Sequence, residues 1–187
     1  MSYLPLELCR AGENDHDAIV GLIDAAAEWL RLTKDTDQWA MPWRSEEDRS
    51  NRIQRDLMTG RTWLLRYHGM AVATITADPE DYPIWPPERQ RESAVYVRRL
   101  VVSHEYRGQR LGSTLLDWAG LTARQRDDAR WIRVDVWRTN KELHAYYERQ
   151  GFTSCGECTD PDYPSGALFQ KPTDQLTEPW PPLFHQA

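Results

Sequence analysis

The sequence has no surplus of positive charge: its 187 residues carry 23 Lys and Arg against 29 Asp and Glu, a formal net charge of -6. Nucleic acids and anionic membrane surfaces are held by clustered Lys and Arg that displace counterions, so neither is an expected partner. An acidic chain is better suited to a cationic small substrate. Long hydrophobic runs are missing as well. Nothing approaches the ~20 apolar residues that cross a bilayer, and the first ten residues lack the basic and apolar regions of a signal peptide. The expected compartment is the cytoplasm. Cysteine is scarce, and an odd count of three gives no disulfide framework. Cys155 and Cys158 form a C-x-x-C pair, but zinc needs about four ligands and only Cys9 and scattered histidines remain, so no metal is expected. Neither an internal repeat nor a low-complexity block interrupts the chain.

What is present has the length for one domain with a sizeable core. The expected boundaries are a single domain over residues 1–171 and a Pro-containing tail over 172–187. Residues 15–32 place Ile19, Leu22, Ile23, Ala26 and Leu30 at helical spacing, with Asn14 or Asp15 as cap. A charged second helix is expected over 45–58, with Ser45 as cap and Asp48 three residues on. Two strands, 62–67 and 70–77, meet at His68-Gly69, a tight hairpin connection. The segment 78–92 holds Pro79, Pro83, Pro86 and Pro87 and reads as a surface excursion. Residues 94–102 suit a central strand and 109–126 a helix. Over 131–137, Ile132, Val134 and Val136 alternate with Arg133 and Asp135, as in a strand with one better-buried face. A short helix over 140–150 is closed by Gly151, and strands are expected at 152–158 and 167–171. This order predicts an α/β or α+β fold, a mixed central sheet flanked by helices.

One segment carries chemistry. Strand, then Tyr106-Arg107-Gly108-Gln109-Arg110-Leu111-Gly112, then helix is an arrangement in which backbone N–H groups and the helix dipole can receive a pyrophosphate. Leu100-Val101-Val102 followed by this loop resembles the acetyl-CoA motif of the GNAT superfamily of N-acetyltransferases, Arg/Gln-x-x-Gly-x-Gly/Ala. Arg107 and Gly112 match its ends, whereas Arg110 stands where the middle glycine is usual. The loop conformation therefore does not follow from the motif alone. Downstream, Asn140-x-x-Leu143-x-x-Tyr146-Tyr147-Glu148-Arg149-Gln150-Gly151-Phe152 is similar to the Asn-x-x-Ala-x-x-x-Tyr-Glu-x-x-Gly-Phe helix of that family. The resemblance implies acetyl-CoA as cosubstrate, bound by Leu100, Val101, Val102, Arg107, Gly108, Gln109, Arg110, Leu111, Gly112, Ser113, Asn140 and Tyr147. It also implies a backbone N–H near residues 100–102 aimed at the developing oxyanion, and Tyr147 as the acid that protonates the departing thiolate.

An alkylamine has an unperturbed pKa near ~10.4, so a base or a water chain must take its proton before attack. Glu92, Asp135, His104, Glu105 and His144 are near in sequence and none is singled out. Trp39, Trp43 and the 82–85 loop with Trp85 are candidate walls of an acceptor pocket, and Tyr96 and Arg98 share one strand face. The expected reaction is acetyl transfer to a primary amine of a small molecule. The rivals are a protein or peptide N-acetyltransferase, a non-catalytic acyl-CoA-binding regulatory module, and an interaction domain without cofactor, which the paired motifs oppose. A homodimer is compatible with the composition.

Overall fold

The computed structural model describes residues 6–39, 45–80, 84–158, 160, 163–177 and 185–186. The chain divides into two compact units, Met1–Thr76 with Arg99–Leu115 and Pro179–Ala187, and Ala77–Arg98 with Leu116–Glu178. Helices and strands alternate in both, the mixed architecture expected.

In the first unit β1 (Leu6–Arg10) pairs antiparallel with β2 (Thr62–Tyr67), β2 pairs antiparallel with β3 (Met70–Asp78), and β8 (His185–Gln186) runs parallel to β1. β1 is not anticipated by the sequence reading, because five residues with only Leu6 and Leu8 turned inward are too short a pattern. His68 and Gly69 take φ of 48 and 81, the paired left-handed residues of a tight hairpin turn. Ile19, Leu22 and Ile23 of α1 (His16–Thr33) and Ile53 and Leu57 of α2 (Glu46–Met58) close over Leu64 and Val101 in one buried cluster. Each such side chain contributes about 1.5–3 kcal/mol by leaving water. The Ser45 hydroxyl accepts the Asp48 N–H at 3.0 Å, capping α2 as expected. Asp15 does stand before α1, but its carboxylate is used elsewhere: Oδ2 accepts the Gly12 N–H at 3.0 Å and Oδ1 accepts Arg66 Nη2 at 2.5 Å.

In the second unit the residues of β4 (Ala94–Val102) up to Arg98 run beside β5 (Trp131–Val136), paired in parallel from Ala94↔Trp131 to Val97↔Val134. β7 (Ala167–Pro172) lies antiparallel to β5, and β6 (Thr153–Glu157) antiparallel to β7. The short α3 (Pro87–Gln90) interrupts the expected excursion, and α4 (Leu111–Asp127) and α5 (Lys141–Arg149) precede and follow β5. Two sequence expectations are corrected here. Arg133 is not on an outward face of β5 but fully buried. Its Nε donates to Gln170 Oε1 at 3.2 Å, Nη1 to the Arg89 carbonyl at 2.7 Å and the Tyr96 hydroxyl at 3.0 Å, and Nη2 to Glu92 at 2.5 Å. The segment around Trp85 supplies a second buried face, with the guanidinium 4.9 Å from the indole centroid. The C-terminal segment, expected as a tail beyond the domain, is pinned at its start. Thr173 is buried and gives its hydroxyl to the Ala129 carbonyl at 2.7 Å. Leu176 is buried against Gly120 of α4, where a Cβ would come within 2.3 Å of its Cδ1.

Within β4, Arg99 has φ 48, a left-handed residue inside a strand of the kind that makes a bulge. Its guanidinium pairs with Asp56 of α2, whose side chain is 4 % exposed, and also reaches the Arg52 carbonyl at 3.4 Å. Removing one member of a buried pair strands the other charge. Asp56→Ala is therefore expected to lower unfolding free energy by about 3 kcal/mol in urea titration. Asp24→Ala, which breaks the half-exposed Arg49–Asp24 pair, should cost under about 1 kcal/mol. Equal losses would mean that the β4 pair has no special weight.

Candidate active site

After β4 the Ser103 N–H donates to the Val72 carbonyl at 2.8 Å, and a single 3-10 turn, His104–Tyr106, leads into the loop. Gly108 and Arg110 both adopt left-handed φ, 78 and 60. Arg110 thus takes the glycine-like conformation despite its side chain, at a cost of about 1–2 kcal/mol. Its carbonyl accepts the Thr114 N–H at 3.0 Å and the Ser113 hydroxyl at 2.9 Å, which makes it the residue that opens α4. The N–H groups of the first turn, Leu111, Gly112 and Ser113, have no carbonyl one turn back and carry the positive end of the helix dipole. Leu111 is buried and anchors this turn, while Arg107, Gly108, Gln109 and Arg110 are exposed. Among the described residues neither Arg107 nor Arg110 is ion-paired. Two exposed cations beside a row of unsatisfied amides fit a diphosphate. Leu100 and Val102 are half-buried and Val101 is buried, so the strand leading to the loop is well fixed.

Asn140 and Tyr147 lie in the second unit. The Asn140 side chain caps α5, accepting the Leu143 N–H at 3.0 Å. Tyr147 is buried, with its ring 5.4 Å from Phe152 edge-on and 6.2 Å from Phe169 in a stacked arrangement. Among the described residues its hydroxyl has no hydrogen-bond partner. Burial pushes the Tyr147 hydroxyl well above the usual phenol range, with Tyr146 and Asp135 adding to it. Tyr146 is pushed up to about 12, chiefly by burial and then by Asp117. Both phenols therefore stay neutral through neutral and mildly alkaline pH.

The aromatic candidates separate. Trp39 is half-buried against the core of the first unit, with φ 63. Trp85 and Tyr96 are buried together, ring centroids 6.0 Å apart, in the second unit's Arg133 cluster, and Trp43 lies outside the described residues. Arg98 is paired with Asp78 at 2.9 Å. Of the candidate bases, Glu92 is tied to Arg133, and His144 donates Nε2–H to the Trp137 carbonyl at 2.8 Å. Asp135 accepts the Tyr163 hydroxyl at 3.2 Å. Glu105 is exposed in the 3-10 turn. His104, with Ser103, lines a cavity of about 260 Å³ walled by Ala18, Gly21, Ala25 and Ala71. The sequence reading missed this cavity. Its signal was the run of small residues at helical spacing beside the apolar face of α1. Cys155 and Cys158 are free thiols, and among the described residues no cluster of three or more His, Cys, Asp or Glu is placed to hold a metal. No described helix is long and apolar enough to cross a membrane.

A model of the acetyltransferase (GNAT) family matches residues 22–152. An uncharacterized N-acetyltransferase of Bacillus subtilis (strain 168), YesJ, is 28% identical over 152 residues, which cover 79% of this chain and 82% of that protein. A GNAT-family acetyltransferase from Listeria monocytogenes 4b F2365 has a similar fold, with TM-score 0.71 at 21% identity over 92% of this chain and 98% of that one. So does the PaiA N-acetyltransferase of Thermoplasma acidophilum, solved in complex with coenzyme A, with TM-score 0.67 at 16% identity over 92% of this chain and 99% of that one. The strain at Arg110 gives a direct test of the loop geometry. Arg110→Gly is expected to raise stability by about 0.5–1 kcal/mol in thermal or urea unfolding, since relief of the left-handed side chain outweighs the added freedom of the unfolded chain. A loss of stability would show that the residue is not left-handed in solution.

Proposed function

Since the chain belongs to the GNAT acetyltransferase family and is thereby an N-acetyltransferase, we propose that it acetylates a primary amine of a small molecule, with residues 107–113 holding the donor's diphosphate and Tyr147 as general acid. The observation that carries the reading is the loop itself: left-handed Gly108 and Arg110 turn the chain into α4, bringing first-turn amides together with two guanidinium groups that have no carboxylate among the described residues. Acetyl-CoA supplies a thioester carbonyl open to attack by an amine. Backbone N–H groups just past the bulge at Arg99, in residues 100–102, would meet the carbonyl oxygen as its charge grows. Asn140, already the cap of α5, has the position of the family's amide that touches the donor arm. Burial keeps the proton on Tyr147, so its hydroxyl is in the donating form when the thiolate departs.

The net charge of -6 favours a cationic acceptor, and the open pocket of about 260 Å³ beside His104 has room for a small one. Glu92, His144 and Asp135 are each held by a structural partner, which favours His104 on the cavity wall as the route by which the amine sheds its proton. The sequence's compartment and boundaries enter the same reading: a cytoplasmic enzyme with residues 1–171 as its catalytic domain.

The test is thiol release from acetyl-CoA against small amines, polyamines, aminoglycosides and peptides presenting lysine or an N-terminus, with CoA binding followed in parallel. Turnover on a small amine is expected. Turnover on peptides alone would replace the acceptor class, and tight CoA binding with no turnover would favour a regulatory module. Tyr147→Phe should lower kcat by about 10²-fold, the usual contribution of a positioned acid. Because burial raises the Tyr147 pKa, its acid form persists, so this ratio should be flat from about pH 6 to about pH 10. A ratio that collapses towards one within that range would place the ionisation on another group.

A further inference from the structure

Arg107, the first residue of the phosphate loop, is exposed and makes no ion pair among the described residues, yet it is not loose. Its guanidinium carbon sits 4.0 Å from the centroid of the Trp29 ring on α1, and Lys34 Nζ approaches the same ring at 5.9 Å. Trp29 belongs to the α1 face that carries Ala18, Leu22, Ala25 and Ala26, and its position is steadied by a helix that continues to Thr33, whose hydroxyl bonds the Trp29 carbonyl at 2.7 Å. Arg66, Arg98, Arg99 and Arg133 meet carboxylates, whereas among the described residues Arg107 meets an indole and no carboxylate, as Arg10 does over Trp63 at 5.3 Å. An aromatic face fixes a guanidinium without neutralising it, which a carboxylate cannot do.

We propose that Trp29 is a positioning residue for the donor's phosphates: it holds Arg107, with Lys34 nearby, stacked beside the loop before the acyl donor arrives. This rests on the reading of residues 107–113 as the diphosphate site. A long, exposed arginine normally loses rotamer freedom when it engages an anion, and stacking removes that loss in advance while leaving all five N–H donors of the guanidinium available. The prediction is a loss of donor affinity confined to the Arg107 branch of the site.

The experiment is calorimetric titration with CoA, and steady-state kinetics with acetyl-CoA, at fixed moderate salt for the wild type, Trp29→Leu, Trp29→Phe, Arg107→Ala and the Trp29→Leu/Arg107→Ala double variant. Leucine keeps helix propensity and apolar bulk but removes the π face, and circular dichroism establishes that each variant is folded. Trp29→Leu is expected to weaken CoA binding by about three- to fivefold, the size of an exposed cation–π contact, with the loss carried by KM for acetyl-CoA rather than by kcat. Trp29→Phe should fall between it and the wild type. In the Arg107→Ala background the tryptophan substitution should have almost no further effect. An unchanged Kd for Trp29→Leu, or the same loss with and without Arg107, would overturn the proposal, the second outcome by showing that Trp29 acts through packing. Absence of CoA binding by the wild type would instead overturn the reading of the loop, and this inference with it.

Discussion

The buried pair between Asp56 and Arg99 is the constraint on which the central strand depends. A left-handed arginine in mid-strand costs about 1–2 kcal/mol in backbone energy, and its charge is carried into a position where the side chain is only 12 % exposed. Neither would persist alone. Asp56, on α2 and itself nearly sealed from solvent, supplies the opposite charge, and the Arg52 carbonyl takes another guanidinium donor. Ile53 and Leu57, on either side of Asp56 in sequence, are core residues, so the carboxylate is fixed by the same packing that holds the helix. The pair therefore holds the left-handed residue of β4 immediately before residues 100–102. Its carboxylate comes from α2, far from the motif in sequence.

The arginines of β2, β4 and β5 differ from those of the loop in what they meet. Arg66, Arg98, Arg99 and Arg133 meet carboxylates, and Arg133 is satisfied on every side by a carboxylate, a carbonyl, an amide oxygen and a phenol. These are structural cations whose field is cancelled locally. Arg107 and Arg110 are exposed beside the first turn of α4, whose N-terminus adds positive potential of its own, and among the described residues neither has a carboxylate partner. In a molecule of net charge -6, two such cations beside a helix start favour an anion locally rather than by bulk attraction.

Much of this was legible in the sequence, and the residues that were not share a cause. The loop, the capped α2, the hairpin at His68-Gly69 and the Asn140 helix announce themselves through local rules: turn chemistry, cap spacing, periodicity. Arg133 was misplaced because alternation in a strand reports one face as buried, and only the tertiary closure of residues 84–92 buries the other. Asp15 has the right type and position for a cap, but Arg66, 51 residues on, competes for its carboxylate and wins. Leu176 is hidden behind prolines that suggested a surface tail, and the signal for its burial is a glycine 56 residues earlier in α4 that leaves room for it. The Arg107–Trp29 contact is likewise non-local. Apart from β1, missed for its shortness, these are long-range pairings decided by packing, to which local patterns are blind.

Arg110 brings these threads together. A glycine there would adopt φ 60 without strain, and the family pattern normally has one. The arginine keeps the conformation, since its carbonyl still opens α4 through Thr114 and Ser113, so the backbone geometry of the loop is enforced by the helix start rather than by the freedom of the residue. The strain of the left-handed side chain is then the cost of an extra cation at the helix N-terminus, where it adds to the dipole and to Arg107. Strained, destabilising residues persist where function uses what they supply and the surrounding structure over-determines them. On the proposed reading the supplied property is charge, and the over-determining structure is the first turn of α4, anchored by buried Leu111.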